Sequence, residues 1–167
     1  APPHRRPAAG RSRRARALKP SRHTLRSAAG LFATAAIAAS CADGAWPLLF
    51  VMLVPWLLAL DAQRSWGSTL GVAWGMAVAY TGAAFFWFGA AIGGYTQIGT
   101  AAGIGVLLVL APLFQPQFIA FALARRWMGQ RHGPWLRALA GTAAWLTTET
   151  LLPRVLDDTL GYGLHPS

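Results

Sequence analysis

An all-α fold, a polytopic helical bundle that crosses a membrane about five times, is predicted by three observations. Residues 65–124 contain no Asp, Glu, Lys, Arg or His. An uncharged apolar run is long enough to span a bilayer from about 18 residues, so this stretch accommodates two spans and the turn between them. The chain is 54% hydrophobic and 12% charged, where soluble domains run near 25% charged; a water-soluble domain of this composition would lack a polar surface. The charge is also segregated, with nine of the fifteen Lys and Arg inside residues 1–26 and no acid before Asp43.

The first 27 residues are Arg- and Pro-rich with almost no large apolar side chain. They cannot bury enough surface to fold and are expected to form a disordered cytoplasmic tail. With neither interleaved aromatics nor a folded reader attached, the tail is not expected to bind nucleic acid. The remainder, 28–152, divides into five apolar segments at about 28–42, 45–60, 69–92, 99–124 and 135–152. The first is short and Ala-rich. The second opens on Trp46-Pro47, and the third and fourth share the uncharged region around a GGYTQIG turn. The fifth carries Glu149 near its end.

Placing the N-terminus in the cytoplasm puts fourteen of the fifteen basic residues there: those of the tail, then Arg64, Arg125, Arg126, Arg131 and Arg137. Only Arg154 falls on the other side. Cytoplasmic loops accumulate Lys and Arg, so this orientation is predicted, with 153–167 an extracytoplasmic segment.

Within the bundle, Gly67, Gly71, Gly75, Ala79 and Ala83 recur every four residues, a stripe that lets a neighbouring helix approach closely. Kinks are expected near Pro55 and between Pro112 and Pro116, where each proline removes a backbone donor. Gln115 and Gln117 are expected to bond across helices or to the freed carbonyls. Trp46, Trp66, Trp127 and Trp135 fall at span ends, where amphipathic rings favour the interface. Trp56, Trp74, Trp87 and Trp145 lie deeper and are expected to fill packing. Glu149 needs a partner, water or the interface at its depth, and Arg154 is its nearest cation in sequence.

No catalytic constellation emerges. His4, His23, His132 and His165 have no metal-ligand spacing, so no metal and no cofactor are expected. No phosphate-binding loop is present. Cys41, the only cysteine, excludes an internal disulfide. A lipoprotein signal ending at Cys41 is disfavoured by Ala38, where such signals usually carry Leu, and by the membrane segments that follow.

The order and spacing of several segments resemble the N-terminal membrane region of bacterial apolipoprotein N-acyltransferase. They are WPLLFVMLVPWLLAL, LGVAWGMAVAYTGAAFFWFGAAIGGYTQIG, a long apolar span ending in ARRW, AAWLTTETLLPR and LGYG. The pattern rests on Trp46 and Pro47, Phe86 and Trp87, the Gly93-Gly94 turn, and Trp145 followed by Glu149, and it covers about residues 28–163. One departure is Val155-Leu156-Asp157-Asp158-Thr159, where members carry a Gly-Phe-Pro-Trp-like segment.

The resemblance implies a multi-pass protein of the bacterial inner membrane whose family moves a fatty acyl chain from a phospholipid to the N-terminal diacylglyceryl-cysteine of lipoproteins. In the family this chemistry belongs to a nitrilase-like domain outside the cytoplasm, with Glu, Lys and Cys as acid/base and nucleophile and a thioester as intermediate. That domain has no counterpart in these 167 residues, and Cys41 matches no catalytic motif. The chain is therefore expected to be a truncated piece, inactive alone and completed by a separate or downstream nitrilase-like domain. Its partners would be membrane phospholipid and the lipoprotein substrate. No catalytic residue is assigned; Trp87, Tyr95, Glu149 and Tyr162 are the candidates for a lipid-facing rim at headgroup level. The competing class is a non-enzymatic integral membrane protein, such as a small transporter subunit or a lipid-binding assembly partner. Glu149 is the one buried ionisable candidate, and there is no clear repeat to favour transport.

Overall fold

The computed structural model describes residues 22–42 and 45–152. Among them every regular element is helical: α1 (Arg22–Ala42), a 3-10 helix (Trp46–Phe50), α2 (Val54–Asp61), α3 (Trp66–Tyr95), α4 (Thr100–Phe114), α5 (Pro116–Gly129) and α6 (Pro134–Leu151). The all-α prediction holds. α1 and α3 are each long and apolar enough to cross a membrane, and α4 with α5 makes a third such unit bent by 43°.

Two boundaries differ from expectation. α1 begins at Arg22, within the stretch expected to be disordered. Pro20 is the last proline before it, and Arg22, Leu25, Arg26, Ala28 and Ala29 favour helix, so charge alone does not end the helix. The second segment is not one helix: Pro47 opens the 3-10 piece and Pro55 stands in the first turn of α2, which is eight residues long. The kink expected in the fourth segment is present at Gln115 (φ −125°, ψ 53°), between Pro112 inside α4 and Pro116 at the start of α5.

Packing is set by small residues and rings. On α1, Gly30, Thr34 and Ala38 are buried at four-residue spacing. A Cβ on Gly30 would come within 2.7 Å of the Pro55 carbonyl oxygen and 2.8 Å of Ala59 Cβ, so α1 and α2 touch nearly backbone to backbone. One turn on, the Thr34 hydroxyl accepts a hydrogen bond from the Trp56 N–H (3.1 Å), satisfying one of the open donors at the α2 N-terminus.

At the centre, Phe118 of α5 stands edge-on to Trp145 of α6 (5.0 Å) and Trp56 of α2 (5.3 Å), with Tyr80 of α3 tilted against it at 5.4 Å. Four helices thus share one ring cluster. Such geometry contributes about 0.5–1.5 kcal/mol per pair beyond burial, which matters where lipid tails are as apolar as the core. Trp56 and Trp145 fill this core as expected. Trp74 and Trp87 do not, because their side chains turn outward and stay exposed.

α3 loses helical dihedrals at Phe85 (φ −123°, ψ 16°). Before the kink it packs on α1 and α5, with Gly75 under Leu31 and Tyr80 on Phe118; beyond it, Gly89 and Gly93 seat it on α4. Gly67 and Gly71, the first members of the predicted stripe, have open space where a Cβ would stand.

Candidate functional site

The antiparallel course of the helices gives the bundle two ends. One gathers Tyr95 at the end of α3, the turn to α4, and the end of α6 with Glu149. The other gathers the starts of α1, α3 and α6 with the ends of α2 and α5.

At the first end, α3 and α4 meet with almost no space between backbones. Cβ atoms on Gly93 or Gly103 would collide with the Gly99 and Gly89 carbonyls respectively, and one on Gly89 would lie 2.8 Å from Ile104 Cα. Gly99 itself adopts φ +90°, a conformation that favours glycine. Its N–H donates to the Gly93 carbonyl at 3.2 Å, closing the turn. Gln97 is left-handed (φ 60°) and donates from Nε2 to the Gly94 carbonyl at 2.7 Å.

Of the predicted rim residues, Tyr95 is 92% exposed at this turn and Trp87 is 57% exposed, its indole N–H donating to the Ala84 carbonyl at 3.2 Å. They lie on one helix, about 12 Å apart along its axis at 1.5 Å per residue. Glu149 is half-buried on α6, which packs chiefly on α5, so Trp87 and Tyr95 share a helix that Glu149 does not. Tyr162, Arg154, Asp157 and Asp158 lie outside the described residues, as do Asp43 and the proposed Glu149–Arg154 pair. Gln115 and Gln117 are buried at the α4–α5 break, and Gln117 Nε2 donates to Gln115 Oε1. The two amides bond to one another where two prolines interrupt the helix.

The other end holds a polar network. Arg125 of α5 grips Asp61 at the end of α2 with two bonds, Nε to Oδ1 at 2.9 Å and Nη2 to Oδ2 at 2.8 Å. Arg137 of α6 adds a bond to Oδ2 at 3.0 Å. Gly129 makes room for that reach, since a Cβ there would lie 2.7 Å from Arg137 Cδ.

Arg126 instead closes the α2–α3 loop. It donates to the carbonyls of Gln63 (3.1 Å) and Arg64 (2.7 Å) and to the Thr69 hydroxyl (3.2 Å), with its guanidinium 5.1 Å from the Trp66 ring. Gln63 Nε2 extends the network to α1 through Ser27 Oγ at 2.9 Å. Trp66, Trp127 and Trp135 are exposed around this end, as expected of interfacial rings; the Trp46 side chain is outside the described residues. This network is absent from the residue-by-residue prediction, although one signal pointed to it: Asp61 is the only acid between Asp43 and Glu149, and it adjoins loops rich in arginine.

Among the described residues, no three His, Cys, Asp or Glu side chains converge into a metal-binding group. Cys41 Sγ, at the end of α1, donates to the Ala45 carbonyl at 3.6 Å. The chemistry on view consists of exposed rings and open apolar faces along α3 and α4, and guanidinium groups at the opposite end.

Residues 29–166 match the apolipoprotein N-acyltransferase N-terminal domain family. No curated protein and no solved structure matches the chain. The family match covers most of the 167 residues, and the chain belongs to that family.

Proposed function

We propose, from that membership, that this chain is the membrane-embedded part of an enzyme that transfers a fatty acyl chain from a phospholipid to the N-terminal diacylglyceryl-cysteine of lipoproteins. The observation that carries the proposal is the family match over residues 29–166. The helical bundle supports it, because its long apolar helices suit a protein that handles acyl chains within the bilayer. Residues 1–26 are strongly basic, and the arginine-rich end gathers the loops that a cytoplasmic placement requires. The end carrying Tyr95 and Glu149 would then face the outer side of the inner membrane.

In this reading the bundle presents lipid and the acylated cysteine to a nitrilase-like domain, which supplies the nucleophile. The chain alone binds lipid without transferring the acyl group. Trp87, Tyr95, Glu149 and Tyr162 remain the proposed rim that meets headgroups beneath that domain.

Mass spectrometry of lipoprotein N-termini tests the proposal. Cells lacking the gene should accumulate lipoproteins with a free α-amino group on the diacylglyceryl-cysteine, and restoring the gene should return the third acyl chain. Unchanged N-acylation after deletion would overturn the assignment.

A further inference from the structure

We propose that the arginine-rich end holds a built site for the phosphodiester headgroup of an anionic phospholipid, separate from the acyl-transfer end. A cleft of about 290 Å³ opens there, and Arg64, Arg125, Arg126 and Arg137 line it together with Asp61 and Thr69. Its volume is close to the lower bound of about 300 Å³ for small-molecule sites. That suits a glycerophosphate head whose acyl chains stay outside.

The charge balance favours an anion. Four arginines and one carboxylate line the cleft, and Asp61 is already shared between Arg125 and Arg137. Among the described residues, the hydrogen bonds of Arg126 go to neutral oxygens. Arg64 takes part in no ion pair among the described residues. It also lines a second cleft, with His23, Ser27 and Ser68. Among the described residues, two positive charges therefore remain without an acid in a cleft whose Arg125 side chain is largely shielded. A phosphodiester supplies the missing charge through the strong paired bonds that guanidinium groups make with it.

Depth identifies the source of that phosphate. Trp66 and Trp127 are exposed on the helices that form the cleft, and Trp135 is exposed two residues before Arg137. Such rings settle at the membrane–water boundary, where lipid phosphates lie. The occupant is thus a lipid of the same leaflet, held with its phosphate among the arginines and its chains along the bundle.

The test is native mass spectrometry of the full chain, released from nanodiscs of phosphatidylcholine containing a titrated fraction of phosphatidylglycerol with the same acyl chains. The expected result is one retained phosphatidylglycerol, with apparent affinity falling about tenfold in Arg64→Gln, the loss of one charge-assisted hydrogen bond. Arg131→Gln removes the same charge from a residue that does not line the cleft and should leave retention unchanged. Arg64→Lys should recover part of the affinity and serves as the second variant if Arg64→Gln does not fold. Equal losses in Arg64→Gln and Arg131→Gln, or no preference for phosphatidylglycerol, would overturn the proposal. So would inorganic phosphate or free glycerol phosphate binding as tightly as the lipid, since the site would then be one for a soluble anion. The readout involves no acyl transfer, so it stands or falls independently of the enzymatic assignment.

Discussion

The two ends of the bundle are held together by different physics. At the arginine-rich end, side chains from α1, α2, α5, α6 and the α2–α3 loop meet through ion pairs and hydrogen bonds around Asp61, Gln63 and Arg126. At the other, α3 and α4 meet through glycine backbone, with no side chain between them at Gly93 and Gly103. A polar network works where headgroups and water can solvate what it leaves unsatisfied. Between apolar helix faces contact must come from shape, because in lipid neither charge nor the hydrophobic effect draws them together. The difference predicts opposite sensitivities to mutation and to salt.

The largest effect is expected at the glycine seam. Gly103→Leu places side-chain atoms where the Gly89 carbonyl and Gly93 backbone stand, and backbone cannot move aside as a flexible side chain can. A loss of about 3 kcal/mol, at the severe end for overpacking, should appear as a large drop in the detergent unfolding midpoint that added salt does not alter. A tolerated Gly103→Leu would dissolve the comparison.

Next comes Asp61→Asn, which leaves Arg125 and Arg137 without their carboxylate. All three side chains are partly exposed, so the expected loss is about 1–2 kcal/mol, between surface and buried pairs. Raising the salt concentration should destabilise the parent chain and have little effect on the variant. A smaller change, about 0.5 kcal/mol, is expected for Ser27→Ala, which removes one neutral contact of Gln63 that the Ala59 carbonyl partly replaces. Least of all, Gly71→Ala should fall within about 0.5 kcal/mol of the parent or stabilise it, because nothing stands within 4 Å of the added methyl. If Gly71→Ala instead disrupts assembly while leaving the isolated chain folded, the open half of that stripe is a contact between copies.

These contrasts also explain what could be read in advance. The uncharged stretch 65–124 and the segregated charge were sufficient for an all-α membrane fold and for sorting the loops into two groups, because both follow from the cost of charge in hydrocarbon. Four-residue spacing identified a small-residue stripe on α3 but could not say which helix it met. The closest approaches lie at Gly30 on α1 and at the turn glycines 89, 93 and 103, where spacing is indistinguishable from turn composition. Pro47 and Pro55 were visible, yet not that they divide the second segment into a 3-10 piece and a two-turn helix. Asp61 and Arg125 are 64 positions apart, a pairing that charge counting places on the same side without joining. Of the rim candidates, Tyr95 and Trp87 are exposed on one helix and Glu149 stands on another, as the order of segments alone could not tell.

The Asp61 network has a consequence in time. Asp61 is synthesised 64 residues ahead of Arg125 and 76 ahead of Arg137, so a nascent chain carries this carboxylate through the making of α3, α4 and α5 before either cation can reach it. The three-way clasp can close only after the α5–α6 turn has been delivered to the same side as the α2–α3 loop. An inverted or skipped segment would strand the acid on one face and its arginines on the other. Closure of this single contact therefore requires an even number of crossings between the acid and its arginines, a parity condition written into one aspartate.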